Sequence, residues 1–173
     1  MAYNAGQSSG NLVLISTQTA SASSSISFTS GLTGYDRYKI VFYNVVTTGV
    51  GSIFLTYSTD GGSTYISTNY DQYGACDQFG GVFGNGWQNR ANFLLTSTVT
   101  NIANFGIWGE CEFTTLQSTS IYKNVLNTLY DGTVQWMTYG HNYSTTSAIN
   151  ALKFAPDAGT FDSGTFKLYG VVN

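Results

Sequence analysis

Short segments in which apolar and polar residues alternate are the feature that most constrains the fold of this 173-residue chain. In SSISF (24–28), Ile26 and Phe28 fall on one face of a strand and the serines fall on the other. Similar segments recur along the chain, and Gly, Asn, Asp and Ser separate them at short intervals. No window sustains a helical period. The pattern predicts an all-β fold, an antiparallel β-sandwich or jelly roll of about ten short strands.

Two of the predicted strands carry apolar residues on both faces. YKIVFYNV (38–45) and SIFLTYS (52–58) are apolar at odd and even positions, which is typical of strands covered on two faces or lying at a subunit interface. The other predicted strands are ANFLLTST (91–98), NFGIWGECEF (104–113), TSIYKNVLN (119–127), VQWMTYGHNY (134–143), AINALKFA (148–155) and SGTFKLYGVV (163–172). For AINALKFA a short helix is the alternative.

The start of the chain differs from the rest in composition. Residues 1–11 are mostly small and polar and show no periodicity, so we interpret them as an N-terminal arm, with residues 12–173 forming a single β-sandwich domain. The arm contains no Lys or Arg, and the apolar stretch that follows it (12–15) is only four residues long. We therefore expect no signal peptide, no membrane span and synthesis in the cytoplasm.

Charged residues make up only 9% of the chain, and the formal net charge is −3. Lys and Arg are scattered, so no basic cluster is present to neutralise a row of phosphates, and we expect no direct contact with nucleic acid. The two cysteines, Cys76 and Cys111, do not form a C-x-x-C motif. Two reduced, mostly buried thiols are the expectation, with a disulfide as the alternative.

The chain offers few groups for catalysis. His141 is the single histidine, and a hydrogen-bonded position at a sheet end or a subunit contact is favoured over a catalytic role. Glu110 and Glu112 share one face of a strand; such acids can hydrolyse glycosides, but they more often form a solvated face or guard a sheet edge. Asp71 and Asp77 lack the ligand pattern of a calcium loop. We therefore expect no enzymatic activity, no cofactor and no metal site.

The octapeptide STDGGSTY (58–65) resembles the Asp-box of sialidases and other β-propellers, S-x-D-x-G-x-T-W, with Tyr65 in the last place. Asp60 is expected to cap backbone N–H groups and Gly62 to supply a positive φ, with Thr64 starting a return strand. In those families the box is a structural hairpin. The motif therefore predicts a turn and does not imply sialidase activity.

Residues 70–90 combine glycines with five aromatic rings and show almost no period, so a long loop is predicted there. Rigid rings on a flexible backbone can stack on sugars or on other proteins, which makes this segment a candidate binding surface. The alternative is that the rings fold inward as a second small core or pack against a sister subunit. The candidate residues are Tyr70, Tyr73, Phe79, Phe83 and Trp87.

Both ends of the domain resemble short β-rich proteins encoded among the virion structural genes of tailed phages. The resemblance runs through residues 12–45, STDGGSTY (58–65) and residues 145–172. In that group a strand of the type A-v-n-a-i-r-F precedes a turn, and a final s-G-t-x-k-L-Y-G strand closes the sheet. The resemblance covers about half of the chain and leaves out the middle (66–140). It implies a virion structural protein and supplies no catalytic residues.

Among virion structural proteins we expect a capsid decoration or cement protein on the outer surface of the shell, made in the host cytoplasm. The chain is predicted to be one compact domain with a small arm and no stalk or coiled coil, and its strands with apolar residues on both faces suggest subunit packing. Its partner would be the major capsid protein, and virion geometry favours a homotrimer, with residues 1–11 reaching a neighbour and residues 70–90 at a capsid or trimer contact. The alternative is a tail-fibre or receptor-binding protein, bound to other tail proteins, whose aromatic segment contacts a host surface glycan. A polysaccharide depolymerase would need an acid pair or a histidine site.

Overall fold

The computed structural model describes residues 11–78, 81–99, 106–132 and 134–172, which form twelve strands and no helix. In chain order the strands are β1 (Asn11–Thr19), β2 (Ile26–Phe28), β3 (Arg37–Thr47), β4 (Gly51–Ser58), β5 (Tyr70–Gln78), β6 (Gly81–Arg90), β7 (Phe93–Val99), β8 (Ile107–Phe113), β9 (Lys123–Tyr130), β10 (Val134–Asn142), β11 (Ala151–Pro156) and β12 (Phe161–Val172). They lie in two antiparallel sheets, of eight strands (β1-β12-β3-β8-β9-β10-β5-β6) and four strands (β2-β11-β4-β7). The predicted all-β sandwich is confirmed.

Eight of the strands are wound as a jelly roll. The first strand of this set pairs with the last and so on inward: β1 with β12, β2 with β11, β3 with β8 and β4 with β7. Successive members of the set alternate between the two sheets, except that β4 and β7 both lie in the smaller sheet, and this gives the double-sheet jelly-roll architecture. The other four strands form two hairpins, β5–β6 and β9–β10. These hairpins are inserted after β4 and β8 and extend the larger sheet beyond β8.

An aromatic cluster fills the space between the two sheets. The ring centroids of Phe42, Phe154 and Phe166 lie 4.9–5.9 Å apart, and all three side chains are buried. Alternate residues of β3 point into this core, while Val41 and Tyr43 point away from it and retain exposed surface. The prediction that β3 is covered on both faces is therefore wrong for a single chain, because the four-stranded sheet covers only the inner face of β3.

The segment 70–90 is a β-hairpin, so the prediction of a long loop is wrong. Its glycines hide the alternation on which the prediction depends, because they occupy strand positions beside bulky partners. Gly86 pairs with Tyr73, and Gly140 of the neighbouring β10 pairs with Gln72. A Cβ at Gly140 would collide with the Asp71 carbonyl oxygen, so the close approach of β5 and β10 requires a glycine there. Pairing with β10 overrides the low strand propensity of this segment.

Both cysteines lie in the larger sheet but on strands that are not neighbours. Cys76 is in β5 and Cys111 is in β8, and the strands β9 and β10 lie between them. Three strand spacings amount to about 14 Å, whereas a disulfide requires Cα atoms within about 7 Å. The alternative of a disulfide within the chain is therefore wrong. Cys111 is a buried free thiol that donates to Asn127 Oδ1 at 3.2 Å, and burial raises its pKa.

The last residue of the predicted arm, Asn11, belongs to the first described strand. Residues 1–10 of the predicted arm lie outside the described residues, and Asn11 already pairs with Val172 in β1. Leu12, Val13 and Leu14 are all exposed and show no alternation, which is why the pattern does not predict β1. AINALKFA contributes β11, so its helical alternative is also wrong.

Candidate functional site

Large apolar side chains stand exposed on one side of the eight-stranded sheet, the side that points away from the four-stranded sheet and is here called the outer face. Six of them are between 47% and 68% exposed: Tyr43, Tyr73, Trp108, Leu126, Met137 and Tyr139. They lie on β3, β5, β8, β9 and β10. Contiguous exposed apolar surface of this kind marks interaction sites on soluble proteins. The outer face is therefore the candidate functional surface, and its described residues line two grooves.

The first groove, called the Trp108 groove, has a volume of about 490 Å³ and crosses β3, β8 and β9. The rings of Trp108 and Tyr130 stack in it with centroids 4.4 Å apart and planes inclined by 13°. Tyr43, 68% exposed, stands beside them. The lining residues are Val41, Phe42, Tyr43, Trp108, Gly109, Glu110, Thr128 and Tyr130.

A β-bulge in β3 puts Tyr43 into this groove. The register shifts between Phe42 and Val45, where β3 has one residue more than β8, and Asn44 adopts φ 51°. Asparagine tolerates this left-handed conformation better than most residues. Because the bulge turns the chain locally, Tyr43 and Asn44 are both exposed, and Tyr43 reaches the Trp108 side of the sheet.

Two ion pairs lie beside the Trp108 groove. Lys39 Nζ donates to Glu110 Oε1 at 2.8 Å, and Arg37 donates through two nitrogens to Glu112 Oε1, with Nε at 3.0 Å. The two acids share a face, as the sequence predicts, but β8 is an inner strand of the sheet. A role in guarding an edge is therefore wrong. Each carboxylate forms an ion pair with a cation from β3, so the charges of Glu110 and Glu112 are balanced. This arrangement is typical of a neutral surface and not of an acid–base site.

The second groove, called the Tyr73 groove, has a volume of about 480 Å³ and crosses β10, β5 and β6. Tyr73 and Tyr139 are directly opposite on neighbouring strands, with ring centroids 5.6 Å apart and planes inclined by 37°. Gly86 faces Tyr73 from β6 and leaves the floor open. The lining residues are Asp71, Gln72, Tyr73, Gly86, Gln88, Tyr139, Gly140 and His141.

Polar groups surround the two rings of the Tyr73 groove. Asp71 and His141 are directly opposite each other on β5 and β10, two residues from the tyrosine pair. The backbone N–H of Asn89 donates to Asp71 Oδ1 at 2.6 Å, which fixes the carboxylate. Gln88 and His141 are exposed. A carboxylate, an imidazole and an amide therefore lie around one pair of rings.

A buried glutamine holds this groove in place from beneath. Gln72 points inward between Asp71 and Tyr73, and its amide bonds both backbone groups of Leu94 on β7. It accepts from the Leu94 N–H at 2.6 Å and donates to the Leu94 carbonyl at 3.2 Å. Because side chains alternate along a strand, fixing Gln72 inward fixes Asp71 and Tyr73 outward.

The five aromatic candidates in residues 70–90 do not form one site. Tyr70 is fully buried: its hydroxyl accepts from the Tyr57 N–H at 2.9 Å and donates to the Ile66 carbonyl at 3.2 Å, and burial raises its pKa. It belongs to the core, so its assignment to a binding surface is wrong. Tyr73 lies in the second groove. Phe79 lies outside the described residues, and so do the side chains of Phe83 and Trp87, whose backbone belongs to β6.

The Asp-box-like octapeptide forms a tight turn after β4. Asp60 Oδ1 accepts from the Thr64 N–H at 2.9 Å and Oδ2 accepts from the Thr64 hydroxyl at 2.6 Å, while Gly62 has φ 89°. These hydrogen bonds lower the pKa of Asp60 to about 2. The return strand expected at Thr64 is wrong, because the chain leaves the turn toward β5 in the other sheet.

The sequence pattern does not single out Tyr43, Trp108, Tyr130 or Tyr139 as candidates, although all but Tyr130 lie in predicted strands. Their signal was an aromatic residue at an outward position of an alternating segment. No family model, curated protein or solved structure matches this chain. Among the described residues no cluster of His, Cys, Asp and Glu could hold a metal ion, and no helix is long and apolar enough to cross a membrane.

Proposed function

We propose that this protein is a structural component of a tailed-phage virion that binds the outside of the capsid shell as a decoration or cement protein. The observation that carries the proposal is the outer face, where six large apolar side chains stand 47–68% exposed. The resemblance of both chain ends to virion structural proteins supports the same conclusion. The proposal assigns a binding role and no catalytic residue.

The Trp108 groove is the surface through which we expect the protein to bind the capsid shell. Trp and Tyr are enriched in the centres of protein interfaces, where large rigid rings bury much apolar area at small entropic cost. The stacked Trp108–Tyr130 pair and the projecting Tyr43 form such a centre. The ion pairs of Lys39 and Arg37 beside it would form a polar rim. A cement protein stabilises the shell by burying this kind of area across the joints between capsomers.

The copy number of the protein in purified particles tests its place in the virion. Quantitative mass spectrometry against the major shell protein should give a number in the same range as that protein, which would support decoration. A number of a few to a few dozen would move the protein to the tail. Complete absence from particles would contradict both places.

A Trp108→Ala variant tests the contact surface. Its binding to particles that lack the protein should weaken by roughly 30-fold or more, as expected for an interface hot spot. Val50→Ala is the control, because Val50 is 59% exposed in the turn between β3 and β4, away from the groove. Equal binding by the two variants would remove the Trp108 groove from the interface.

A receptor-binding protein at the tail is the second candidate function. The observation that favours it is the Tyr73 groove, in which polar side chains surround two exposed rings. A surface glycan of the host would be the partner in that case. The low copy number expected of a tail protein distinguishes this candidate from decoration.

A further inference from the structure

We propose that the Tyr73 groove is a binding site for a neutral saccharide, with a pyranose ring stacked on Tyr73 and Tyr139. The inference concerns the ligand of a groove other than the Trp108 groove. It does not depend on whether the protein sits on the capsid or on the tail.

The two tyrosine rings leave faces available for a ligand. Their planes are inclined by 37° at a centroid distance of 5.6 Å, whereas Trp108 and Tyr130 lie nearly parallel at 4.4 Å and cover each other. Tyr73 is 48% exposed and Tyr139 is 57% exposed. The C–H groups on one face of a pyranose form an apolar patch, and aromatic faces bind such patches while the phenolic hydroxyls remain available for hydrogen bonds.

The polar groups around the rings match the hydroxyl groups of a sugar. Asp71 Oδ1 is occupied by the Asn89 N–H, while Asp71 Oδ2 makes no hydrogen bond to any described residue. The side chains of Gln88 and His141 likewise make none within the described part of the chain. A fixed carboxylate oxygen accepts from hydroxyls, and the amide and imidazole can donate or accept. The carboxylate also disfavours a ligand that carries its own negative charge.

The shape of the groove fits a ligand of this size. Its volume of about 480 Å³ falls within the range of small-ligand sites, roughly 300–1,000 Å³. Gly86 supplies no side chain at the floor, and a Cβ there would meet the Tyr73 ring at 3.4 Å. Gln72, clamped to Leu94 beneath the sheet, keeps Asp71 and Tyr73 oriented before any ligand arrives.

The position of the groove in the fold is consistent with an added function. Tyr73 and Tyr139 belong to the two hairpins, β5–β6 and β9–β10, that are inserted into the jelly roll. Each of the eight jelly-roll strands has its pairing partner within the jelly roll, so the jelly roll does not need these hairpins to complete its pairs. Sites grafted on a common fold are the usual carriers of specific function.

The test is titration of the intact protein with methyl glycosides and disaccharides of glucose, galactose and mannose, followed by NMR or calorimetry. We expect saturable binding of at least one neutral sugar with a Kd on the order of 1 mM. Sialyllactose serves as the anionic comparison and should bind more weakly than lactose. Stronger binding of sialyllactose than of every neutral sugar would overturn the assignment of ligand class.

Variants locate the binding in the groove. Tyr73→Ala and Tyr139→Ala should each weaken the affinity at least tenfold, and Asp71→Asn should weaken it as well, whereas Trp108→Ala should leave it unchanged. All four residues retain exposed surface, so unchanged circular dichroism and thermal midpoints should accompany the loss. The proposal is overturned if no neutral sugar binds at concentrations up to about 20 mM, or if affinity survives in both tyrosine variants.

Discussion

A single buried lysine ties two loops together at the residue scale. Lys123 is 0% exposed, and its ammonium lies within hydrogen-bonding distance of the carbonyl oxygens of Thr115, Ser118, Ile121 and Thr146, with Nζ···O distances of 3.2, 3.3 and 3.1 Å for the first, third and fourth. Its three N–H groups serve these four acceptors, so at least one N–H is shared. Burial lowers its pKa, while the carbonyl dipoles favour the charged form. The ammonium therefore holds the β8–β9 loop against the segment that leads into β11.

Replacing this ammonium should cost much of the stability of the domain. Lys123→Met keeps an unbranched stem but removes the ammonium that joins the carbonyls of the two loops, so the free energy of unfolding in urea should fall by about 3 kcal/mol. Lys153→Met is the control, because the Lys153 ammonium makes one cation–π contact, 4.0 Å from the Tyr65 centroid. It should lose less than about 1 kcal/mol. Equal losses in the two variants would contradict the role given to Lys123.

At the scale of elements, the turn between β4 and β5 should make stability depend on pH in acid. The pKa of Asp60 is about 2 in the folded chain against an ordinary value of 3.8. The turn therefore contributes its full stability above pH 3.8 and loses it as the pH falls toward 2. Asp60→Asn should lower the thermal midpoint at pH 5 and flatten its decline in this interval. Asp162→Asn, at an exposed position of β12, should leave the decline as it is in the unchanged chain.

The strands that the sequence predicts are those with apolar residues at every second position or more often. In β3, β4 and β9 burial alternates because each strand covers the core with every second residue, although β3 and β4 are apolar at both sets of positions in the sequence. The hairpin β5–β6 escapes prediction because glycines at positions such as Gly74, Gly84 and Gly86 interrupt the alternation of apolar and polar side chains. The grooves escape for another reason: Tyr73 and Tyr139 are 66 residues apart, and only the register of β5 and β10 brings them together. The shared face of Glu110 and Glu112 was predictable, but their cationic partners on β3 were not.

At the scale of the whole molecule, both proposed sites lie on one face of one sheet, yet they need not compete. Trp108 and Tyr73 are separated by three strand spacings, about 14 Å, and by four residues along the strands, about 13 Å. Sheets twist by roughly 20–25° per strand, so the outward direction at β5 differs from that at β8 by roughly 60–75°. A partner seated on the Trp108 groove can therefore leave the Tyr73 groove open to solvent.

If the protein binds the capsid shell through the Trp108 groove, as proposed, this geometry predicts a divided pattern of protection on particles. Hydroxyl-radical footprinting should show strong protection of Tyr43 and Trp108 on particles relative to the free protein, while Tyr73 and Tyr139 react equally in both. The exposed Tyr122 serves as an internal reference, since it belongs to neither groove. Protection of all four aromatic residues would place both grooves inside the assembly contact and remove the saccharide site from the assembled particle. Protection of Tyr73 and Tyr139 alone would instead make the Tyr73 groove the docking surface. Rings that are buried against a partner lose their access to radicals, and the twist of the sheet would leave Trp108 in solvent.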